Sequence, residues 1–172
     1  MLMSEWMPLK NVSPDCFACG PHNHEGLKMT FATDGERIRA RVQIPEHVRG
    51  WSRLSHGGVT TTILDEAMAW ACIYFREQFP LTREIRVRFS KPVFIGDQLE
   101  VFSWVGEEKS KRQLMLHAEM RNLNGDLMAA AEGDFAPFTP EQFAKMELVP
   151  LPDLQALEAM FHSVQPYQRP AT

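Results

Sequence analysis

The stretch SHGGVTTTILDEAMAWACIYF, residues 55–75, limits what this chain can fold into more than any other. After His56-Gly57-Gly58 it runs apolar, and between Val59 and Phe75 its only charges are Asp65 and Glu66. A segment of about five helical turns is long enough for a core helix and too short and interrupted to span a bilayer. A helix apolar on nearly every side has to be wrapped by something else. Two neighbouring carboxylates inside it lose hydration, which disfavours ionisation unless a partner or a substrate compensates.

The two acids point about 100° apart on a helix and cannot share one job. Asp65 lies on a stripe of mostly small or mildly polar residues: Gly58, Thr61, Thr62, Met68, Ala69 and Cys72. Glu66 lies on a bulkier stripe with Val59, Ile63, Trp70 and Ile73. A substrate needs room, so Asp65 is the expected working carboxylate and Glu66 the runner-up. The competing reading is a structural Asp65, bonded to backbone or to an Arg in a tight core. The glycines weigh against it. Gly57 and Gly58 stand where a helix leaves its first N–H groups unpaired and where its dipole is positive. Without side chains there, an oxygen can approach those donors, and a carboxylate two turns further along suits carbonyl chemistry.

The remaining composition excludes more than it suggests. The 172 residues have ordinary hydrophobic (44%) and charged (23%) content, which fits a single domain with a full core. A net charge of -4 leaves no basic footprint for nucleic acid. Three cysteines make no disulfide framework, and MLMSEWMPLK has no basic-then-apolar leader, so a cytoplasmic location is expected. Cys16 and Cys19 form a C-x-x-C with His22 and His24 just beyond. Four ligands in nine residues is an unusual spacing for structural zinc, and no second C-x-x-C follows. A turn around Gly20-Pro21 is expected instead, with no metal. Redox chemistry lacks a strand-to-helix context.

The rest of the chain reads as strands. Leu27, Met29 and Phe31 alternate with polar residues, as do Ile38, Ala40, Val42 and Ile44, and Asp34-Gly35 between the runs signals a hairpin. Pro45 ends the second run. Beyond the helix, Pro80 breaks the pattern and a strand begins at Thr82, with Ile85, Val87 and Phe89 on one side and Glu84, Arg86 and Arg88 on the other. Further strands are expected over 98–105, 113–121 and 127–136, the last two joined at Asn124-Gly125. Ala129, Ala130, Ala131 and Gly133 are small for a strand, so the helix or a second subunit packs closely there. Thr139-Pro140-Glu141 marks a helix start, 152–162 a second short helix, and QPYQRPAT a loose end. No chemistry is legible in this tail, which reads as a cover for the sheet. The order implies an α+β fold, an antiparallel curved sheet around one long helix, with an exposed edge that a dimer would pair.

That order, and above all HGGVTTTILDEAMAWA, resembles the hotdog-fold acyl-CoA thioesterases of the phenylacetate-pathway type. CFACGPHNHEGL resembles the Cys-x-x-Cys-Gly…Asn…Gly-Leu opening of that group, and RFSKPVFIGDQLEV its next strand pair. The resemblance covers about residues 16–137. With it the chain divides into a loop segment (1–26), a hotdog domain (27–137) and a helical tail (138–172). It implies hydrolysis of acyl-CoA to free acid and CoA, with no cofactor beyond the CoA of the substrate. The catalytic acid falls on Asp65, and the amide that polarises the thioester carbonyl on Gly58. His56 shapes the turn and meets substrate, and Thr82 is the nearest match to the Ser or Thr that positions water. Gly57, Thr61 and Met68 belong to the substrate side, and Arg86, Arg88 and Lys91 are candidates for CoA phosphates or a solvated strand face. Asp65 acts as general base or as nucleophile, in a homodimer or homotetramer. Arg49-Gly50-Trp51 stands where many members carry an Asn, a departure that bears on how water or carbonyl is held. The alternatives are a hotdog protein that binds acyl-CoA or another apolar ligand without hydrolysis, a hydratase or dehydratase, and a zinc module.

Overall fold

The computed structural model describes residues 6–11 and 13–163; the QPYQRPAT end, expected to be loose, lies outside them. From the amino terminus the chain forms β1 (Met7–Leu9), β2 (Thr30–Thr33), β3 (Ile38–Gln43), α1 (Gly57–Arg76) and β4 (Phe79–Phe89). It continues through β5 (Gln98–Ser110), β6 (Gln113–Asn122), β7 (Leu127–Phe138), α2 (Pro140–Lys145) and α3 (Leu151–Ser163). The seven strands make one antiparallel sheet in the order β1-β2-β3-β5-β6-β7-β4. α1 carries the chain from β3 across the sheet to β4, which therefore ends as an edge strand. The α+β expectation of a sheet against one long helix holds.

α1 packs on β3, β4, β5, β6 and β7. Ile63, Leu64, Ala67, Met68, Ala71 and Cys72 are buried beneath it, and Ser103 Oγ on β5 donates to Ala67 O at 2.5 Å. The small residues of β7 now have their reason. A Cβ at Gly133 would lie 2.4 Å from Phe135 Cε2 and 3.3 Å from Met68 Cε, so α1 sits as close as it does because that position is bare. The expectation of a helix wrapped on every side needs correcting. Gly58 is exposed and Thr61, Thr62, Asp65 and Ala69 are only partly covered, so that part of the stripe stays open in this chain, while its Met68 and Cys72 are buried.

Several boundaries moved for physical reasons. β1, on a segment read as loop, adds a strand by pairing Met7 with Thr33. The run from Leu27 becomes regular only at Thr30, because Lys28 adopts φ 52. Gly35 (φ 90) and Gly125 (φ 85) take the left-handed turns their hairpins require. Pro80 does not end the pattern: it lies inside β4 opposite Pro137, tolerated because β4 is an edge. In the tail, Phe143 and Leu154 form a small second core with Phe79 at the start of β4.

Candidate active site

The start of α1 is set by His56, whose extended backbone caps the helix and whose Nδ1 accepts the Gly58 N–H at 2.9 Å. A Cβ at Gly58 would stand 3.0 Å from that Nδ1, so the bare position is what lets the imidazole fold over the helix end. At Gly57 the nearest neighbour of such a Cβ is the Phe89 ring, at 3.7 Å. Beside this helix start lies an open recess of about 290 Å³ whose lining includes Leu54, Ser55, Gly57, Thr60, Phe89 and Lys91. Ser55 Oγ is buried without a partner among the described residues. Neither Ser55 nor Phe89 stood out in the sequence, because a lone Ser and the last residue of a strand carry no local signal.

Two turns along α1, Asp65 Oδ1 accepts a hydrogen bond from Thr82 Oγ1 at 2.8 Å. A β-bulge between Thr82 and Glu84 shifts the register of β4 at this point. Asp65 is half-covered, Thr82 exposed, and the pair stands at the open edge of the sheet. Burial raises the Asp65 pKa above its ordinary value, and the Thr82 hydroxyl opposes the rise. Asp65 forms no ion pair among the described residues, so the structural reading in which an Arg holds it finds no support there.

Other residues on the substrate side fall in different places. Thr61 Oγ1 donates to Gly57 O at 3.1 Å, so its hydroxyl is engaged by the helix backbone. Met68 has no exposed surface, and the space it fills is core beside Gly133 rather than a cleft. Arg86 pairs with Glu132 at 3.6 Å and Lys91 with Asp126 at 2.7 Å. Arg88 is exposed on β4 and makes no ion pair among the described residues. Gly58 and Asp65 are separated by roughly 10 Å of helix, seven residues at the usual rise, which is more than one thioester group bridges.

Glu66 is turned elsewhere. Its Oε1 accepts Trp70 Nε1–H at 3.2 Å and lies 3.7 Å from Cys16 Sγ. Burial pushes its pKa up to about 7, with the neighbouring Cys16 charge adding to the rise. A hydrogen bond from the Cys19 thiol lowers Cys16 to about 5, and the same bond raises Cys19. The metal-ligating types that come together are Cys16, Cys19 and Glu66, whereas exposed His22 and His24 do not join them.

The family model described as Thioesterase superfamily matches residues 54–129. Among curated proteins, none matches the sequence. Solved structures do. A thioesterase superfamily protein aligns over 73% of this chain at 20% identity and a TM-score of 0.66; the alignment spans 62% of that protein. The E. coli PaaI protein, from the phenylacetic acid degradation operon, covers 65% of this chain and 80% of its own at 19% identity and a TM-score of 0.58. A hypothetical thioesterase protein from Streptococcus pneumoniae TIGR4, solved with coenzyme A, covers 61% and 80% at 12% identity and a TM-score of 0.57. The fold is the hotdog fold. No helix among the described residues is long and apolar enough to cross a membrane.

Proposed function

We propose that this chain hydrolyses acyl-CoA thioesters to the free acid and CoA, as a thioesterase of the phenylacetate-pathway type. The observation that carries the reading is the Asp65–Thr82 pair: a partly desolvated carboxylate held at 2.8 Å by a hydroxyl and open at a sheet edge. Support also comes from the thioesterase family match and from a neighbour of the same fold with coenzyme A bound.

Because Gly58 and Asp65 of one chain stand too far apart to serve one carbonyl, the working site takes Gly58 from one subunit and Asp65 from a second. β4 is an 11-residue edge strand with unpaired backbone groups along it, which suits such a pairing. The thioester oxygen takes the place of His56 Nδ1 on the Gly58 N–H, at the positive end of α1. Asp65 then removes a proton from a water that attacks the carbonyl carbon, with Thr82 fixing the carboxylate; the tetrahedral oxyanion collapses and CoA leaves as thiolate. In the second route the carboxylate itself attacks, CoA thiolate leaves, and water cleaves the resulting anhydride. No metal is required in either route. Lys91 in the recess lining and Arg86 and Arg88 along β4 then supply positive charge for CoA phosphates, Arg86 and Lys91 by exchanging their ion pairs with Glu132 and Asp126.

The test is thiol release from a panel of acyl-CoAs by the wild type and Asp65→Asn. Turnover is expected to fall at least about 100-fold in the variant. Mixing the inactive Gly58→Ala and Asp65→Asn variants should restore roughly a quarter of wild-type activity, since half the dimers are mixed and each then holds one intact site of two. Retained Asp65→Asn turnover removes the carboxylate from the mechanism, and failed restoration removes the shared site. One observation favours a second reading, ligand binding without hydrolysis: the Gly58 N–H is already satisfied by His56. Acyl-CoA binding without thiol release from any member of the panel would select it.

A further inference from the structure

Cys16, Cys19 and Glu66 meet one residue along α1 from Asp65, about 100° round the helix, and no step of the proposed hydrolysis uses them. Their ligand atoms all lie within 4.8 Å of one another, with Cys16 Sγ 3.7 Å from Glu66 Oε1. The loop that presents the thiols is built for one conformation. Gly20 N–H donates to Cys16 O at 2.8 Å, and a Cβ at Gly20 would stand 2.4–2.5 Å from Pro14 O and from Cys16 N and O, so only glycine closes the turn. Leu27 N–H to Phe17 O and Met29 N–H to Ala18 O tie the loop to the chain entering β2, and Asn11 Nδ2 donates to Cys19 O. On the other side Trp70 Nε1–H fixes Glu66, while the Trp70 ring stacks on Phe31 at 4.4 Å.

The arrangement brings two sulfurs and a carboxylate together with one neutral N–H donor, from Trp70, to Glu66 and no ion pair to it among the described residues. Two thiolates and a carboxylate suit a divalent ion that accepts soft and hard ligands alike. With metal–sulfur bonds near 2.3 Å and metal–oxygen bonds near 2.1 Å, tetrahedral ligand atoms stand about 3.6–3.8 Å apart, which the 3.7 Å between Cys16 Sγ and Glu66 Oε1 matches and the 4.8 Å bound on the other pairs allows. We propose that Cys16, Cys19 and Glu66 bind a divalent cation of the zinc class. Partly exposed Cys16 leaves the fourth position to water. The ion joins the amino-terminal loop to α1 across fifty residues of sequence, as a structural clip rather than a participant in hydrolysis.

The full-length protein, reduced and stripped with chelator, is titrated with cobalt(II) and then with zinc. One equivalent of cobalt per chain is expected, with the intense near-ultraviolet band that thiolate–cobalt bonds give, and zinc should displace it. Cys16→Ser and Cys19→Ser should lose the band. Glu66→Gln, which keeps the side-chain shape, should weaken binding at least about 10-fold, and Trp70→Phe, which removes only the N–H outside the ligands, about 10-fold. A His22→Ala/His24→Ala double variant should titrate like the wild type. A reduced wild type without the band overturns the proposal, even if the cysteine variants fail to fold. So does a band that survives in Cys16→Ser, is untouched in Glu66→Gln, or disappears with the histidines. The acyl-CoA assay is independent, so the site and the hydrolysis can fail separately.

Discussion

Gly58→Ala separates the chemistry of the helix start from its stability. Gly58 has no positive φ, so alanine fits its backbone, but the new Cβ would stand 3.0 Å from His56 Nδ1 and 3.3 Å from Cε1. The ring has to turn away, which breaks the cap made by Gly58 N–H and Nδ1. Loss of a cap costs about 0.5–2 kcal/mol. Against that, replacing glycine by alanine in a helix contributes up to about 1 kcal/mol. The two nearly cancel, so the melting temperature should move by no more than about 4 °C for a chain of this size. Turnover should not be spared. The N–H survives, but the methyl crowds the approach of the developing oxyanion to it; where loss of such a donor costs about 100- to 1,000-fold in kcat, the obstruction should approach the lower end of that range. A thermal melt and a continuous thiol-release assay on one preparation read both quantities. Wild-type turnover in a normally folded variant would refute the oxyanion role; a collapse in stability would refute the cancellation.

Thr82→Val removes the hydroxyl that donates to Asp65 and keeps the shape, so kcat should fall about 10-fold with an unchanged melt, in keeping with a hydrogen bond to a charged group; equal kcat would mean that Thr82 only fills space. Gly133→Ala drives a methyl against Phe135 and Met68 beneath α1 and should cost about 1–3 kcal/mol in chemical denaturation. A neutral result there would show that α1 can lift off β7. Arg88→Ala, at a cation without an ion pair among the described residues, should raise KM for acyl-CoA and leave kcat alone, as removal of uniform binding does; an unchanged KM would return Arg88 to the solvated face.

What could be read from the sequence was local or periodic. Asp34-Gly35 and Asn124-Gly125 announced their turns because only a few residue types accept positive φ, and alternation set the strands that lie between them. Asp65 stood out as a charge in an apolar run, and Thr82 was singled out by resemblance as a residue that positions water; its 2.8 Å hydrogen bond to Asp65 appears only in the folded chain. β1 was hidden because Met7-Pro8-Leu9 is too short to show a period. The bonds of Lys28 concealed another boundary: its Nζ donates to Pro21 O and Asn23 O, in a left-handed conformation that no neighbouring glycine signals. The meeting of Glu66 with Cys16 is a product of the folded chain, so a search for ligands close in sequence reached for His22 and His24 instead. Satisfaction of the Gly58 N–H by His56 is equally invisible until the ring's direction is known.

The tail has a mechanical consequence. Phe143 meets Phe79 with ring centroids 5.1 Å apart, and Leu154 completes the same small cluster. Phe79 opens the strand on which Thr82 comes three residues later, so the carboxy-terminal helices act as a peg at the anchored end of a cantilever whose loaded point is the Asp65 contact. A change that pulls the peg should loosen the beam toward the Thr82–Asp65 contact, three residues along the strand.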